Sequence, residues 1–590
     1  MFNPAEASHV SDVQTLLETA FQSAITRAYG PEYADTDPLV RSSADAAFGD
    51  WQANVAMSLG KKLGKPPRAV AEALVKHLDL GTVASSVDIA GPGFINVKLS
   101  DAFLVAALAG LDGDPRLGVA QTSHPDTVAV DYSAPNVAKE MHVGHIRSTI
   151  IGDALSRVLE FAGHRVLRRN HLGDWGTQFG QLIEHMVDRG LDGSDGHGIG
   201  DLNDLYRQSK ARFDSEPDFA ERARRRVVAL QSGDPETRRL WSALIAESKR
   251  HFNEIYKRLG VSLSDADYFG ESFYNDMLEP TAGELVAKGV AVQSEGALCV
   301  FPPGFKGRDG SPVPLIVKKS DGGYGYDNTD LAAIRHRILD LGCSRLVYVV
   351  GSPQKQHFDL LFAAARMAGW LTDAVRAEYV PFGSVLGEDG KMFKTRSGEV
   401  IKLTDLIDEA LKRARDIVDA KAPDMTDDDK SAVARAIGMG ALKYVDLSND
   451  RIKDYVFSWD RMLAFEGNTA PYLQNAYVRI RSIFRKADEA GLRPNPDAVP
   501  VAEPAERALA VELLRFPDAV AQVERSLEPH RLCTYLYGLA SLFHSFYESC
   551  PVLAAKDPAT RSGRLALCGM AGRALALGLS LLGIDTVDRM

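Results

Sequence analysis

The sequence predicts a multidomain chain centred on an α/β domain with a parallel sheet, preceded by an α+β unit and followed by an all-α helical bundle. Three observations carry this expectation. At 590 residues the chain exceeds a single hydrophobic core and suits about four domains of roughly 150 residues each. Near residues 127–173 a strand, a helix and a second strand follow one another, separated by glycine-containing loops, which is a βαβ unit. From about residue 406 onward the pattern is helical, interrupted only by the Pro-rich stretch GLRPNPDAVPVAEPAE.

The elements follow in order. In the first part, VQTLLETAFQSAIT spaces Val13, Leu16, Leu17, Phe21 and Ile25 along one helical face. VAEALVKHL is a second helix, and VDIAGPGFINVKL is a pair of strands broken at Gly-Pro-Gly. This gives an α+β unit over 1–120. TVAVDYS alternates as a strand and leads into APNVAKEMHVG. The following helix places Ile146, Ile150, Leu155, Val158 and Phe161 on a face and ends at Gly163, and HRVLRR returns as a strand. The α/β domain is expected over 121–405, with an irregular insertion at about 190–300. That insertion holds a loop, GLDGSDGHGIG, and a charged helical stretch from FAERARRR to YKRLG. LVYVVGS, HFDLLFAAARMAGW and AEYVPFGSVLG restore the alternation. A helical connector spans 406–455 and the terminal bundle spans 456–590.

Composition excludes several classes. With 45% hydrophobic and 25% charged residues the chain is not a disordered polymer. No run of about 18 apolar residues suggests a membrane span, and the first twenty residues lack the basic and apolar regions of a signal peptide. The five cysteines are scattered, without a CxxC pair, which fits a reducing compartment and disfavours both a disulfide framework and a cysteine-based zinc site. The expected location is the cytoplasm, away from membranes. A net charge of −11 argues mildly against nucleic acid, yet residues 451–590 carry 17 Lys+Arg against 16 Asp+Glu, and 14 of those cations are arginine.

Two segments carry chemistry. His142 and His145 lie in MHVGHIRS, between the first strand of the βαβ unit and its helix. A helix start offers free N–H groups and partial positive charge to a phosphate, and imidazoles can donate to phosphoryl oxygens in the transition state. Gly144 leaves room for a planar base. A metal pair is the competing reading, but only His171 offers itself as a third ligand, so no bound metal is expected. Some 250 residues later, GEDGKMFKTRSGEV alternates Lys391, Lys394 and Arg396 with turn-forming residues. Such a loop suits neutralisation of a departing pyrophosphate; the rival reading is a solvated basic hairpin.

HVGH paired with KMFKT resembles the HIGH and KMSKS signatures of class I aminoacyl-tRNA synthetases. DYSAPNVAKEMHVGHIRSTIIGD, NHLGDWGTQFG, GESFYN, GGYGYDNTDLAAIRHR and KMFKTRSGEVIKL narrow the resemblance to the arginyl-tRNA synthetases. FGDWQANVAM and FSWDRMLAFEGNTAPYLQNAYVRIRS extend it from about residue 48 to the end. The resemblance implies a Rossmann catalytic domain, activation of arginine with ATP and Mg²⁺, transfer to the 3′ end of tRNA(Arg), an N-terminal domain on the tRNA elbow, and a helical bundle reading the anticodon. It implies catalysis by His142, His145, Lys391 and Lys394, with Gly144, Lys139 and Met392 also at the ATP. In many family members a lysine before the first signature substitutes for one missing from the second; this chain has Lys139 as well as Lys391 and Lys394. Met392-Phe393 departs from the usual KMSKS wording.

The resemblance places the arginine pocket on Asn136, Glu271, Tyr326, Asp330 and Gln354. The chemistry agrees: a guanidinium presents five donors in a plane and needs carboxylates and neutral acceptors. Asp330 has a local rival role as N-cap of the helix LAAIRHRIL. A buried polar fork rejects near-isosteres by about 10⁴ or more, so no editing activity is expected of the insertion. For tRNA, Arg479, Arg481, Arg485 and Lys486 share a helical face, with Trp459, Phe465, Tyr472 and Tyr477 upstream for stacking; the same aromatics would serve as bundle core. A monomer is expected. Three rivals stay open at this point: a class I synthetase for another amino acid, a small-molecule nucleotidyltransferase sharing the HxGH site, and a catalytically silent RNA-binding relative. Pyrophosphate–ATP exchange with each amino acid, with and without tRNA, separates them.

Overall fold

The structure is a computed structural model and describes residues 12–43, 45–191, 202–393 and 401–590. The chain divides into two compact units: Met1–Thr122 with Ile417–Tyr444 and Arg461–Met590, and Ser123–Asp416 with Val445–Asp460.

In the first unit, the helix Val13–Tyr29 starts where the Asp12 carboxylate accepts the N–H groups of Gln14 and Thr15. It buries Leu17, Phe21 and Ile25. Strands β1 (Val40–Ser42), β2 (Trp51–Ala53), β3 (Ala84–Ala90) and β4 (Phe94–Leu99) form an antiparallel sheet in the order β1-β2-β4-β3. The Gly-Pro-Gly signal is the β3–β4 turn; Gly93 has φ 148° and a Cβ there would meet the Pro67 carbonyl at 2.9 Å. Helices from Ala470–Glu489 to Pro558–Leu581 belong to this same unit. Arg507 reaches Asp50 at 2.8 Å and Asp101 at 2.7 Å, and Arg573 reaches Asp112 at 2.8 Å. The two ends of the sequence, read separately above, therefore pack on each other. The helix Pro558–Leu581 is long and apolar enough to cross a membrane although polar residues interrupt its apolar run, and 67% of its most apolar window is buried within the protein.

The second unit is built on four parallel strands in the order β11-β10-β5-β6, with β5 (Thr127–Asp131), β6 (Arg165–Arg169), β10 (Arg345–Gly351) and β11 (Arg376–Phe382). The helix Val143–Phe161 crosses from β5 to β6. It was expected to bury one face, but Ile151, Ala154 and Leu159 are buried along with Ile146, Ile150, Leu155 and Val158. Beyond the sheet, elements of the insertion cover it: Asp153 accepts the Ser262 N–H at 2.9 Å. The strand order turns in opposite directions at β5, with β6 on one side and β10 on the other. The crevice at the carboxyl ends of β5 and β10 is therefore a topological switch point, where ligands of open α/β sheets bind.

The charged helical stretch is made of two helices, Pro217–Ser232 and Pro235–Leu259. Gly233 turns left-handed at φ 86°, and Asp234 caps the second helix by accepting the Thr237 N–H at 2.9 Å. Of the expected loop 190–200, all but Gly190 and Leu191 lie outside the described residues. Strands β7 (Ala291–Ser294), β8 (Ala297–Val300) and β9 (Leu315–Lys318) form an antiparallel sheet that the sequence reading did not assign. Helices Leu403–Lys421 and Asp427–Leu447 follow, and the region read as purely helical contains β13 (Tyr455–Val456), paired parallel with β12 (Val385–Leu386).

Candidate active site

The loop after β5 is bent by three non-glycine residues with positive φ, Ser133 (71°), Ala134 (47°) and Ala138 (61°). Neighbouring groups hold it. Ser148 Oγ accepts the Ser133 N–H at 2.9 Å, Asn170 Oδ1 the Ala134 N–H at 2.9 Å, and Ser248 Oγ the Ala138 N–H at 3.0 Å. The loop delivers His142 as N-cap of the helix Val143–Phe161. His142 Nδ1 accepts the Gly144 N–H at 3.1 Å, and His145 Nδ1 accepts the His142 N–H at 3.1 Å. A backbone N–H can only donate, so each neutral ring carries its proton on Nε2 and offers it as a donor. Burial, then the nearby Lys139 charge, lowers the His142 pKa. Burial, followed by the neighbouring His142, brings His145 down to about 3. Both rings are thus neutral donors at pH 7, with centroids 4.0 Å apart. Gly144 has a further reason to lack a Cβ, which would meet the His142 ring at 2.9 Å. Lys139 lies 4.7 Å over the Tyr206 ring.

The second segment returns to the first. Val143 N–H donates to Ile401 O at 3.0 Å, Leu403 N–H to Met141 O at 2.9 Å, and Lys402 pairs with Glu140 at 2.7 Å. Lys391 stands exposed on a turn closed by Gly387 N–H to its own carbonyl at 2.8 Å. Met392 bridges Leu386 and is exposed. Lys394 and Arg396 lie outside the described residues.

Asn136, Glu271, Tyr326, Asp330 and Gln354 line a single cavity of ≈ 400 Å³ together with Asp131, His171, Gly173, Tyr348, His357 and Phe358. They arrive on four connections, Tyr326 and Asp330 sharing one helix. Asn136 follows β5 and bridges Gly173, where a Cβ would meet Asn136 Oδ1 at 2.2 Å. Glu271 opens a short 3₁₀ turn that Asp174 fixes by accepting Ser272 N–H at 2.8 Å and Ser272 Oγ–H at 2.7 Å; Gly270 is required there because a Cβ would strike the Asp174 carboxylate. Gln354 follows β10. Tyr326 begins the helix Tyr326–Arg335, whose N-cap is Gly325, so Asp330 lies inside the helix and its rival capping role is excluded.

Charge in the cavity is unevenly satisfied. Asp131 pairs with the buried Arg337 at 2.7 Å. Asp330 accepts from His357 Nε2 at 2.7 Å, with Asp327 3.5 Å from the other ring nitrogen. Burial disfavours charge on His357, but the Asp330 hydrogen bond and both carboxylates outweigh it and raise its pKa. Among the described residues no cation is paired with Glu271: burial, then Asp174 and Asp330, push its pKa up to about 7, opposed by the Trp175 N–H. An incoming planar cation is what this carboxyl lacks. Among the described residues no group of three or more His, Cys, Asp or Glu is placed to hold a metal ion.

The residues suggested for tRNA do not form one cluster. Trp459 belongs to the second unit, edge-on to Phe457 at 4.9 Å and under Arg413 at 5.1 Å. Tyr472 and Arg479 share a first-unit cluster through His544, at 5.1 Å ring to ring and 3.3 Å respectively. Arg481 pairs with the Asp588 carboxylate at 2.9 Å, and Arg485 donates to the Asp588 carbonyl at 2.9 Å. Sequence reasoning missed Asp174, His357 and Asp131. Only His357 gave a usable signal, three residues past Gln354 at a helix start; the other two owe their roles to partners distant in sequence.

Comparison with known proteins supplies three matching family models: "tRNA synthetases class I (R), catalytic domain" over residues 111–459, "DALR anticodon binding domain" over 473–590, and "Arginyl tRNA synthetase N terminal domain" over 15–99. An arginine–tRNA ligase of Thermobifida fusca is 53% identical over 584 residues, covering 98% of this chain and 100% of that one. One of Erwinia tasmaniensis is 48% identical over 579 residues, covering 98% and 100%. The crystal structure of an arginyl-tRNA synthetase from Plasmodium falciparum is similar at TM-score 0.84 and 31% identity, covering 98% of this chain and 99% of that one. A Thermus thermophilus arginyl-tRNA synthetase gives TM-score 0.81 and 26% identity, covering 98% and 100%.

Proposed function

From the premise that the chain belongs to the class I arginyl-tRNA synthetase family, we propose that it activates L-arginine with ATP and transfers the arginyl group to the 3′ end of tRNA(Arg). The observation that carries this reading is the convergence of Asn136, Glu271, Tyr326, Asp330 and Gln354 on one cavity at the carboxyl ends of β5 and β10. Glu271 and Asp330 receive the guanidinium, Tyr326 walls it, and Asn136 and Gln354 take the α-amino end. The arginine carboxylate then attacks the α-phosphate of ATP in line, forming the arginyl-adenylate and releasing pyrophosphate. His142 and His145 donate from Nε2 to phosphoryl oxygens as negative charge shifts onto them, with Gly144 and Met392 beside the nucleotide. Lys391 and Lys394 neutralise the pyrophosphate, Lys139 adds charge before the first histidine, and Mg²⁺ enters with ATP as part of the substrate. The terminal ribose hydroxyl of the tRNA attacks the activated carbonyl and AMP leaves. Catalysis rests on positioning and charge stabilisation.

Residues 1–120 serve the tRNA elbow and 456–590 the anticodon, with Tyr472, Arg479, Arg481 and Arg485 at the RNA; Trp459, if it touches RNA, does so from the second unit. The insertion carries no deacylase. The protein acts as a cytoplasmic monomer. Arginine-dependent pyrophosphate–ATP exchange, measured with and without tRNA and across amino acids, tests the reading. Exchange driven by another amino acid in place of arginine would refute it, as would hydrolysis of mischarged tRNA for the absence of editing.

A further inference from the structure

Arg147 lies two residues beyond His145 on the same helix and is fully buried. Its Nε donates to both oxygens of Asp446 at 3.2 Å, and its Nη1 donates to the Lys453 carbonyl at 3.2 Å. The guanidinium lies 5.1 Å from the Tyr455 ring centre and 5.7 Å from that of Phe382. Tyr455 O–H donates to Asp446 at 3.3 Å. The ion pair's side chains are 1% and 0% exposed. Such a pair is a weak source of stability, because desolvation of both charges offsets their attraction and apolar residues of similar volume do as well. Its distinctive contribution is direction.

What it directs is set by its partners. Tyr455 opens β13, which pairs with β12; Tyr455 N–H donates to Ser384 O at 3.2 Å and Phe457 N–H to Leu386 O at 2.8 Å. Leu386 bridges Met392, and the Phe457 ring stacks on Phe393 at 4.7 Å and 26°. β12 and Phe393 are the stem of the turn that presents Lys391. One guanidinium thus joins the helix bearing the two histidines to the strand pair bearing the lysine turn.

We propose that Arg147 is a positioning residue that fixes the register between the histidine-bearing helix and the stem of the lysine turn, so that both segments meet one nucleotide. The proposal rests on the ATP reading above. The primary variant is Arg147→Met with Asp446→Leu, which removes the fork while leaving no buried charge unpaired. Its expected signature is a KM for ATP raised about tenfold and an exchange kcat lowered on the order of 100-fold, as for a small misplacement of catalytic groups. Calorimetric arginine affinity and the unfolding midpoint stay at wild-type values. Arg147→Lys keeps the charge but not the fork, and does not restore ATP use. Should the double variant unfold, Tyr455→Phe removes one bond of the same network and gives the same ATP-specific change, smaller in size. Wild-type KM for ATP and kcat in the folded variant would overturn the proposal, as would equal losses for arginine and ATP. Direct calorimetric binding of a non-hydrolysable ATP analogue to wild type and variant reads the same difference without turnover. Failure of the wild type to exchange pyrophosphate with arginine would strike the enzymatic reading instead.

Discussion

Glu271 couples arginine binding to protons. In the free protein its pKa is up to about 7 because burial and the Asp174 and Asp330 charges disfavour ionisation. A bound guanidinium favours the ionised form, so binding lowers this pKa and releases a proton. Affinity therefore rises with pH. For a free-state pKa near 7 the ionised fraction goes from about 9% at pH 6 to about 91% at pH 8, a gain of roughly tenfold in Kd, with about half a proton released per arginine at pH 7. His357, whose pKa is also raised, sheds its proton under the same influence and adds to the release. Glu271→Gln separates the two: it abolishes the Glu271 share and most of the affinity. Stability moves the other way. A carboxyl raised from 4.5 to about 7 keeps its proton longer folded than unfolded. Its favourable contribution is present below pH 4.5 and is lost as pH rises through 7, leaving a cost of about 3 kcal/mol above that. Glu271→Gln should accordingly raise the unfolding temperature at pH 8 while destroying arginine binding. The assay is titration calorimetry between pH 6 and 8 in buffers of differing ionisation enthalpy. An affinity that is flat across that range, with no proton exchanged, would refute the reasoning.

Three further outcomes follow from the geometry. His145→Asn keeps an acceptor for the His142 N–H but loses the Nε2 donor, so the exchange kcat should fall about 10²–10³-fold with the fold intact by circular dichroism; with the His145 pKa at about 3, the wild-type rate should show no acid limb from this ring above pH 5. Gly173→Ala drives a methyl into Asn136 Oδ1, and steady-state kinetics should show KM for arginine raised about tenfold, roughly 1.4 kcal/mol, with KM for ATP unchanged. Double replacement of Arg481 and Arg485 by alanine should weaken tRNA binding and reduce the salt slope by about 0.7 per lost phosphate contact, whereas Asp588→Ala, which removes the carboxylate that holds Arg481, should tighten binding in the same filter assay; an unchanged slope in the double variant counts against the phosphate track.

The fold was legible where periodicity is local. TVAVD alternates within five residues, and the β3–β4 turn announces itself in Gly-Pro-Gly. The two-residue strands β12 and β13 are too short for any period, and β13 exists because β12 lies beside it. Buried on more than one side, the helix Val143–Phe161 blurred the expected stripe. At the site, the residues of the two signatures were legible because chemistry and spacing coincide in a few positions. Glu271 was not legible from its own neighbourhood, and only a family resemblance selected it. Its place depends on Asp174, 98 residues from the Ser272 it holds, and its raised pKa depends on surroundings that no local window contains. The inclusion of Asp330 within its helix, one turn past Tyr326, likewise needed the helix start to be seen.

Asp50 is bonded to a residue 457 positions later, and Arg515 roofs the Trp51 ring at 5.6 Å while donating to the Ser43 and Asp50 carbonyls. On the ribosome, then, the antiparallel sheet emerges long before the arginines that complete it. The central parallel sheet is made in between and owes nothing to those late helices for its four strands, so it can close first. The early-made sheet already has the helices Val13–Tyr29 and Pro67–His77 to pack on, so what waits for the later part of the chain is its polar edge, the Asp50 carboxylate and the Ser43 and Asp50 carbonyls that Arg507 and Arg515 will take up.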